Sequence, residues 1–519
     1  MRARGEPHPM AASTGGLQLP STISAPRART TAGTLAHALV RHRVIITLLA
    51  IVAFGAGLRV HEAVAPGRYL SADERSYARV ATSLADHGVY AAPGLADPWH
   101  WAPGTPALFA AAHLAAPWAD GDGSVQQLRS VFWAQAAVGT ALIVVAFLLA
   151  AGIAGPAAGL LAAGAVAAYP PLVSATGDLV SEPLGALTLA LAMLALLGAW
   201  RRPSWRRLAL AGAALGVALL VRADTLALPV LLGAAWVLFA RRRTATRTAL
   251  AQGAVLALVP LLVVAPWIAY ASTQAGRLVP VASSGPSTLF VGTFLPGDGG
   301  LSGTRRVLEP YVRRHMPNLH TVPVNDLPGE FVLRAYIRER HPELVPGPYR
   351  AIPEAALRHA LTFEAERNLK TFLVHQPIAY ARMELGKVAR MWGGYYRGGT
   401  HNPRAWLTAW HRVLVALALA GALAGLALVR RRRAELGLLL LTVAGGTAVN
   451  VAFVAQPRHN LPLLPLLASA GAAGAVLAWG RLRGGGLPPE ADPPGEEITV
   501  ERRALDAQQA PAPTLRAGV

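Results

Sequence analysis

Residues 128–169 read LRSVFWAQAAVGTALIVVAFLLAAGIAGPAAGLLAAGAVAAY, and Arg129 is the single charge in the stretch. A surface helix of a soluble protein would show a polar face at every turn. Here two runs, Leu128–Ala151 and Gly155–Tyr169, are apolar on all sides. Such segments are at home in a bilayer, where a span takes about 20 apolar residues. Similar runs lie on either side: Val44–Val60, Leu184–Trp200, Leu208–Val221, Leu226–Ala240, Leu250–Tyr270, Trp406–Val429, Ala434–Val454 and Leu461–Trp479. Several are short and must borrow flanking residues to span.

The composition agrees. Of 519 residues 53% are hydrophobic and only 15% charged, against about a quarter charged in soluble domains. The net charge of +20 does not indicate nucleic acid, because no zinc finger, helix-turn-helix or aromatic RNA-binding strand accompanies it. Much of the positive charge lies in clusters at run ends: RHR (41–43), RRPSWRR (201–207), RRRTATR (241–247), RRRR (430–433) and RLR (481–483). Arginine clusters mark cytoplasmic loops, and ten crossings from a cytoplasmic N-terminus place all five inside. The chain has no cysteine, so disulfides and thiolate metal sites are excluded. About 40 polar residues precede the first run, too long a leader for a cleaved signal peptide. The first run therefore reads as a signal anchor.

The expected fold is an all-α polytopic membrane protein of about 10–12 transmembrane helices. It has a re-entrant or juxtamembrane-helix first outer loop and a mixed outer domain between the late spans. The expected organisation is a disordered cytoplasmic tail (1–43), a transmembrane core (44–270) containing the first outer loop (61–127), an extracytoplasmic loop with juxtamembrane helices (271–405), C-terminal spans (406–482) and a second disordered cytoplasmic tail (483–519). Ala351–Trp392 has amphipathic helical patterns that fit either a bilayer-surface helix or a core helix of a small domain.

The first loop contains RYLSADERSYARVATSLADHG (68–88). Ser71 followed by Glu74 is a capping box, and Gly88 is a helix stop. They predict a helix over about 72–87. Its apolar stripe is Tyr77, Val80, Ala81 and Leu84, and Asp73 shares that face by spacing. A carboxylate on a packed face is costly unless paired or used, so Asp73 reads as functional. The cap alone accounts for Glu74.

Other ionisable residues gather at run ends on the same side: Asp178 and Glu182 (SATGDLVSEPLG), Arg222 and Asp224 (VRADTLALP), and Arg458 and His459 (AQPRHNLPLLP). Each has a bland reading as cap, local ion pair or snorkelling cation. Together they point to one polar cavity. Acids with arginines suit a reaction with a phosphate leaving group, since arginine pairs with phosphate bidentately and a carboxylate can accept a hydroxyl proton. No nucleotide-binding loop is present, so a membrane-borne activated donor fits best.

These residues resemble the multispan C-type glycosyltransferases, which include protein O-mannosyltransferases and lipid A aminoarabinose transferases. The resemblance rests on an ordered set: Asp73, Glu74 and Tyr77 after the first span, GVY (88–90), PGTPALF (103–109), SEPL (181–184), RAD (222–224), PWIAY (266–270), GRLVPVASSG (276–285) and RHNLPLLP (458–465). It implies an inverting transfer of a mannose-like hexose from a polyprenyl-phosphate carrier to a protein, lipid or glycan acceptor at the outer face. Asp73 would be the general base. Glu74, Tyr77, Glu182, Arg222, Asp224, Arg458 and His459 would bind substrate, with Arg458 the first phosphate candidate and Arg222 next. The chain departs from the aminoarabinose transferases at Ala102, where they carry lysine, and at Ser76, where they carry arginine. No metal ligand set is assigned. A divalent cation stays open, with His100 and His375 as isolated candidates. The competing readings are a transporter or flippase of lipid-linked saccharides, which would place polar groups near the bilayer midplane, and an inactive scaffold.

Overall fold

A computed structural model describes residues 28–64, 70–90, 97–118, 128–327, 329–345, 352–394 and 405–484. The chain divides after Thr47 into two units, and every candidate site residue belongs to the second, Leu48–Val519. Among the described residues all regular elements are helices.

Each apolar run is a helix. In chain order the first part comprises α1 (Ala28–Ala63), α2 (Ala72–His87), α3 (Gly104–Ala115), α4 (Arg129–Ala154), α5 (Pro156–Ala168), α6 (Pro170–Ser174), α7 (Glu182–Arg201), α8 (Trp205–Val221), α9 (Leu228–Ala240) and α10 (Thr246–Ala275). A loop domain follows with α11 (Gly285–Thr293), α12 (Leu301–His315), α13 (Gly329–Arg340), α14 (Glu354–Asn368) and α15 (Pro377–Gly393). The chain then returns to apolar helices α16 (Ala405–Leu428), α17 (Arg433–Ala452) and α18 (Leu464–Leu482).

The span count is lower than the expected 10–12. Among the described residues 7 helices are long and apolar enough to cross a membrane, or 8 if the bent pair Pro156–Ala168 and Pro170–Gly177 is one span. That pair bends by 57° at Tyr169–Pro170, where proline removes a backbone donor. Helices α8 and α18 occupy predicted runs but fall outside the set, α8 having only 17 residues.

The loop domain also differs from expectation, being helical where mixed structure was predicted. Helix α12 buries Thr304, Leu308 and Val312, four residues apart. Helix α13 buries Val332, Leu333, Tyr336 and Ile337. These pack with Phe290, Phe294, Leu357 and Leu361 into a core of their own. Prolines open two of these helices, at the starts of α11 and α15.

Small residues set the span packing. A Cβ on Gly474 would stand 2.2 Å from the Gly421 carbonyl oxygen, so α16 and α18 touch backbone to backbone. At the α5–α6 break, the buried Arg59 donates to the Val166 carbonyl at 3.0 Å and the Ala167 carbonyl at 3.2 Å. It thereby satisfies helix-end acceptors that the bend orphans.

Candidate active site

The N-terminus of α2 is built as its sequence dictates. Ser71 Oγ accepts from Glu74 N at 3.4 Å, and Ser71 N donates to Glu74 Oε2 at 2.8 Å. Gly88 closes the helix in the left-handed conformation, with φ 68°. The burial of the two acids is the reverse of the expectation. Glu74 is 3% exposed, whereas the Asp73 side chain is 44% exposed. The cause is a long-range bond. Glu74 Oε1 accepts from Leu179 N at 3.0 Å, so the first turn of α2 lies against the turn that leads into α7. Glu74 thus joins two segments 105 residues apart.

Beyond that bolt lies a string of alternating charges. Arg458 donates from Nη1 and Nη2 to Asp73 Oδ2, each at 3.2 Å. Its Nε lies 3.9 Å from Glu182 Oε1. Arg222 Nη1 stands 3.1 Å from the same Glu182 oxygen and donates to Ser181 Oγ at 2.9 Å. Arg222 Nη2 continues to Asp224 Oδ2 at 2.7 Å, where Asn450 Nδ2 also donates at 3.3 Å. Five ionic residues that the sequence scatters over nearly 400 positions therefore make one contiguous network. It lies at the ends of helices rather than at their middles.

Tyr77 lies buried one turn after Asp73. Its ring stacks on Trp101 at 4.4 Å and meets Phe109 edge-on at 5.9 Å. Burial and the Glu182 charge hold its hydroxyl above the usual tyrosine range, with a Ser181 hydrogen bond opposing them. His459 lines a space of about 10 Å³ with Asp224 and Asn450. Its Nδ1 has no hydrogen-bond partner among the described residues. Burial, then the Arg458 and Arg222 charges, lower its pKa to about 3, so it is neutral at physiological pH. Asp178 is buried beside the site, and its carbonyl accepts from Gln135 Nε2.

Residues 124–270 match the family described as dolichyl-phosphate-mannose-protein mannosyltransferase. Within the matched segment lie Asp178, Ser181, Glu182, Arg222 and Asp224, whereas Asp73 and Arg458 join the network from outside it. No curated protein matches the chain significantly. Among solved structures it is similar to the archaeal oligosaccharyltransferase AglB from Archaeoglobus fulgidus, in complex with an inhibitory peptide and a dolichol-phosphate. The identity is 15% and the TM-score 0.47, covering 90% of this chain and 52% of that one. It is also similar to ArnT from Cupriavidus metallidurans bound to undecaprenyl phosphate, at 14% identity and TM-score 0.37, covering 91% and 81%. The chain thus spans about half the length of the archaeal proteins it matches.

Asn450 and Arg305 were not among the candidate residues, and Ser181 entered only as part of the SEPL motif, with no role of its own. Asn450 was visible as a lone amide inside an apolar run, a pattern that marks functional polarity in a membrane. Arg305 carried no such signal. Arg305 of α12 is within reach of the Asp73 charge, which opposes the lowering of its basicity by burial. The two departures from the aminoarabinose pattern have local explanations. Ser76 Oγ accepts from Trp101 Nε1 at 2.9 Å, and Ala102 packs among Leu219, Val264 and Val281. A lysine at position 102 would have its stem in an apolar cluster.

Among the described residues no three His, Asp or Glu side chains converge as a cation would require. Asp73, Glu182 and Asp224 each face a guanidinium instead. His100 sits half-buried against Trp101 and His375 is exposed on the loop domain. A divalent ion therefore does not fit this donor set among the described residues.

Proposed function

We propose that the chain is a membrane glycosyltransferase that moves a sugar from a polyprenyl-phosphate carrier to an acceptor hydroxyl at the outer face. The observation that carries this reading is the network Asp73–Arg458–Glu182–Arg222–Asp224, a carboxylate and a forked cation held together at the helix ends. The family match over 124–270 supports the donor class.

The chemistry is a direct displacement. The acceptor oxygen forms a bond to the anomeric carbon as the carbon–oxygen bond to phosphate breaks. The acceptor proton passes to the Asp73 carboxylate, and the electron pair leaves on the carrier phosphate. Attack opposite the leaving group inverts the anomeric centre. Arg458 has the bidentate geometry to take the charge that develops on that phosphate, and it lies against the proposed base, Asp73. Arg222, pinned by Glu182 and Asp224, keeps Glu182 from competing freely for Arg458. Tyr77 and Trp101 supply an aromatic wall. The mannose-like sugar, the outward side and the cytoplasmic termini follow from the motifs and the arginine distribution.

The test uses membranes carrying the wild-type and Asp73→Asn chains, given a radiolabelled polyprenyl-phosphate hexose. Transfer is expected only with aspartate. Equal transfer by Asp73→Asn would remove the base assignment. Inertness of both chains toward every such donor would favour the transporter reading.

A further inference from the structure

A second polar feature lies outside this network. The loop domain carries an open cavity of about 440 Å³, within the size range of small-molecule sites. Its wall carries Glu330, Arg334, Arg338, Glu354, Ile352 and the ring of Phe331. Arg334 fixes the polar part of the wall. Its Nε donates to Glu330 Oε1 at 2.8 Å, its Nη2 to Glu354 Oε2 at 2.7 Å and its Nη1 to the Ile352 carbonyl at 3.0 Å. Both carboxylates are thereby oriented while their remaining lone pairs stay available to a ligand. Beside them the Phe331 ring is 39% exposed. A purely structural ion-pair triad would explain the salt bridges. It would not explain an open cavity next to them with an exposed phenyl face.

The cavity is coupled to the candidate active site through one turn of chain. Arg358 lies one helical turn after Glu354 on α14, and its Nη1 stands 3.5 Å from Asp97 Oδ2. Asp97 also takes Arg277 Nη2 at 3.2 Å and caps the Pro98–His100 turn by accepting from Trp99 N. The helix that lines the cavity therefore also clamps this turn. His100 at its end meets Trp101 edge-on at 4.5 Å, and Trp101 stacks on Tyr77. Asp73 is one turn before Tyr77 on α2.

We infer that this cavity is the acceptor site and that the acceptor it holds is a saccharide. The inference rests on the transferase reading and names its acceptor class. Oriented carboxylates and guanidinium groups answer a ligand dense in hydroxyls, each both donor and acceptor. The exposed ring answers the flat apolar face of a pyranose.

The experiment titrates the purified full chain, without any donor, with mannobiose and separately with a Ser/Thr-containing hexapeptide, following ligand signals by saturation-transfer NMR. Mannobiose is expected to bind, and Phe331→Ala to weaken it about tenfold or more. Phe331→Tyr keeps the ring and should keep the binding, which separates loss of the ring from loss of fold. Mannobiose binding that is absent, or unchanged in Phe331→Ala, overturns the inference, as does binding of the peptide alone. The two proposals fail separately. Mannobiose binding by a chain that transfers no sugar sinks the transferase reading, and sugar transfer by a chain that binds no mannobiose sinks the cavity assignment.

Discussion

Both terminal nitrogens of Arg458 point at one oxygen of Asp73, Oδ2, at 3.2 Å each. The fork thus reaches the proposed base at one oxygen, while Nε faces Glu182 Oε1 at 3.9 Å. A donor phosphate would offer that fork a matching pair of acceptor oxygens. Lysine keeps the charge but not the fork. Arg458→Lys is therefore expected to lower kcat/KM for the polyprenyl-phosphate donor by about 10- to 100-fold, the worth of a charged hydrogen bond. Initial rates at varied donor concentration check it. Full activity in the lysine variant would mean that only net charge matters at this position.

Glu74 carries a structural prediction rather than a catalytic one. Its two oxygens accept from two backbone N–H groups, Ser71 and Leu179. Glutamine offers one oxygen, so Glu74→Gln leaves one donor unmet in a buried setting. The expected loss is about 1–3 kcal/mol, read as a lower thermal midpoint of the purified chain. Asp73→Asn, with its half-exposed side chain, should leave that midpoint unchanged. Were the two variants equally stable, the bolt between α2 and the α7 approach would not be holding the fold.

This pair of acids also shows where a sequence is legible. The capping box depends on residues three apart, and it formed as read. The helical phase placed Asp73 on the packed side because it could count only the apolar stripe of α2. Which side is packed was decided by Leu179, more than 100 residues away, and no local rule reaches it. The charged network was half visible, since Glu182, Arg222, Asp224 and Arg458 all stood at the ends of apolar runs. Arg305 was not, because an arginine is not unusual where it stands, and Ser181 was visible only as a member of the SEPL motif. The loop domain was legible in part. The helical pattern of 351–392 was read, whereas the helices around Phe290, Leu308 and Ile337 depend on a shared core that joins residues far apart in the chain.

His100 gives the chain an acid sensitivity. Burial holds its pKa below the ordinary 6.5, against the pull of Asp73 and Asp97. Between its lowered value and 6.5 the unfolded chain binds more protons than the folded one, so stability rises with pH across that window. Acidification below 6.5 should therefore cost stability until the folded value is passed. His100→Gln removes the titration and should flatten that part of the curve. Thermal midpoints of both chains from pH 7 downward measure the slope, and identical slopes would exclude His100 as the source.

Gly185 stands one turn along α7 from Glu182 and makes room for Arg222. A Cβ there would lie 2.4 Å from Arg222 Cδ and 3.1 Å from its Cγ. A flexible arginine would ordinarily swing away at little cost. This one is held at its far end by Glu182, Ser181 and Asp224, so the added methyl must push the guanidinium off its partners. Release of Glu182 then lets that carboxylate close on Arg458, 3.9 Å away, and draw it from Asp73. Gly185→Ala should accordingly reduce transfer by about 100-fold, the scale of a 1 Å misplacement at a reacting centre. The overpacking itself costs about 1–3 kcal/mol of stability. Gly198, on the same helix with nothing within 4 Å of its Cβ position, provides the control. Gly198→Ala should match the wild type in rate, with a thermal midpoint at or slightly above it, since alanine favours a helix interior over glycine by about 1 kcal/mol. Loss of transfer in Gly185→Ala but not in Gly198→Ala would locate the effect at Arg222 rather than in α7 as a whole.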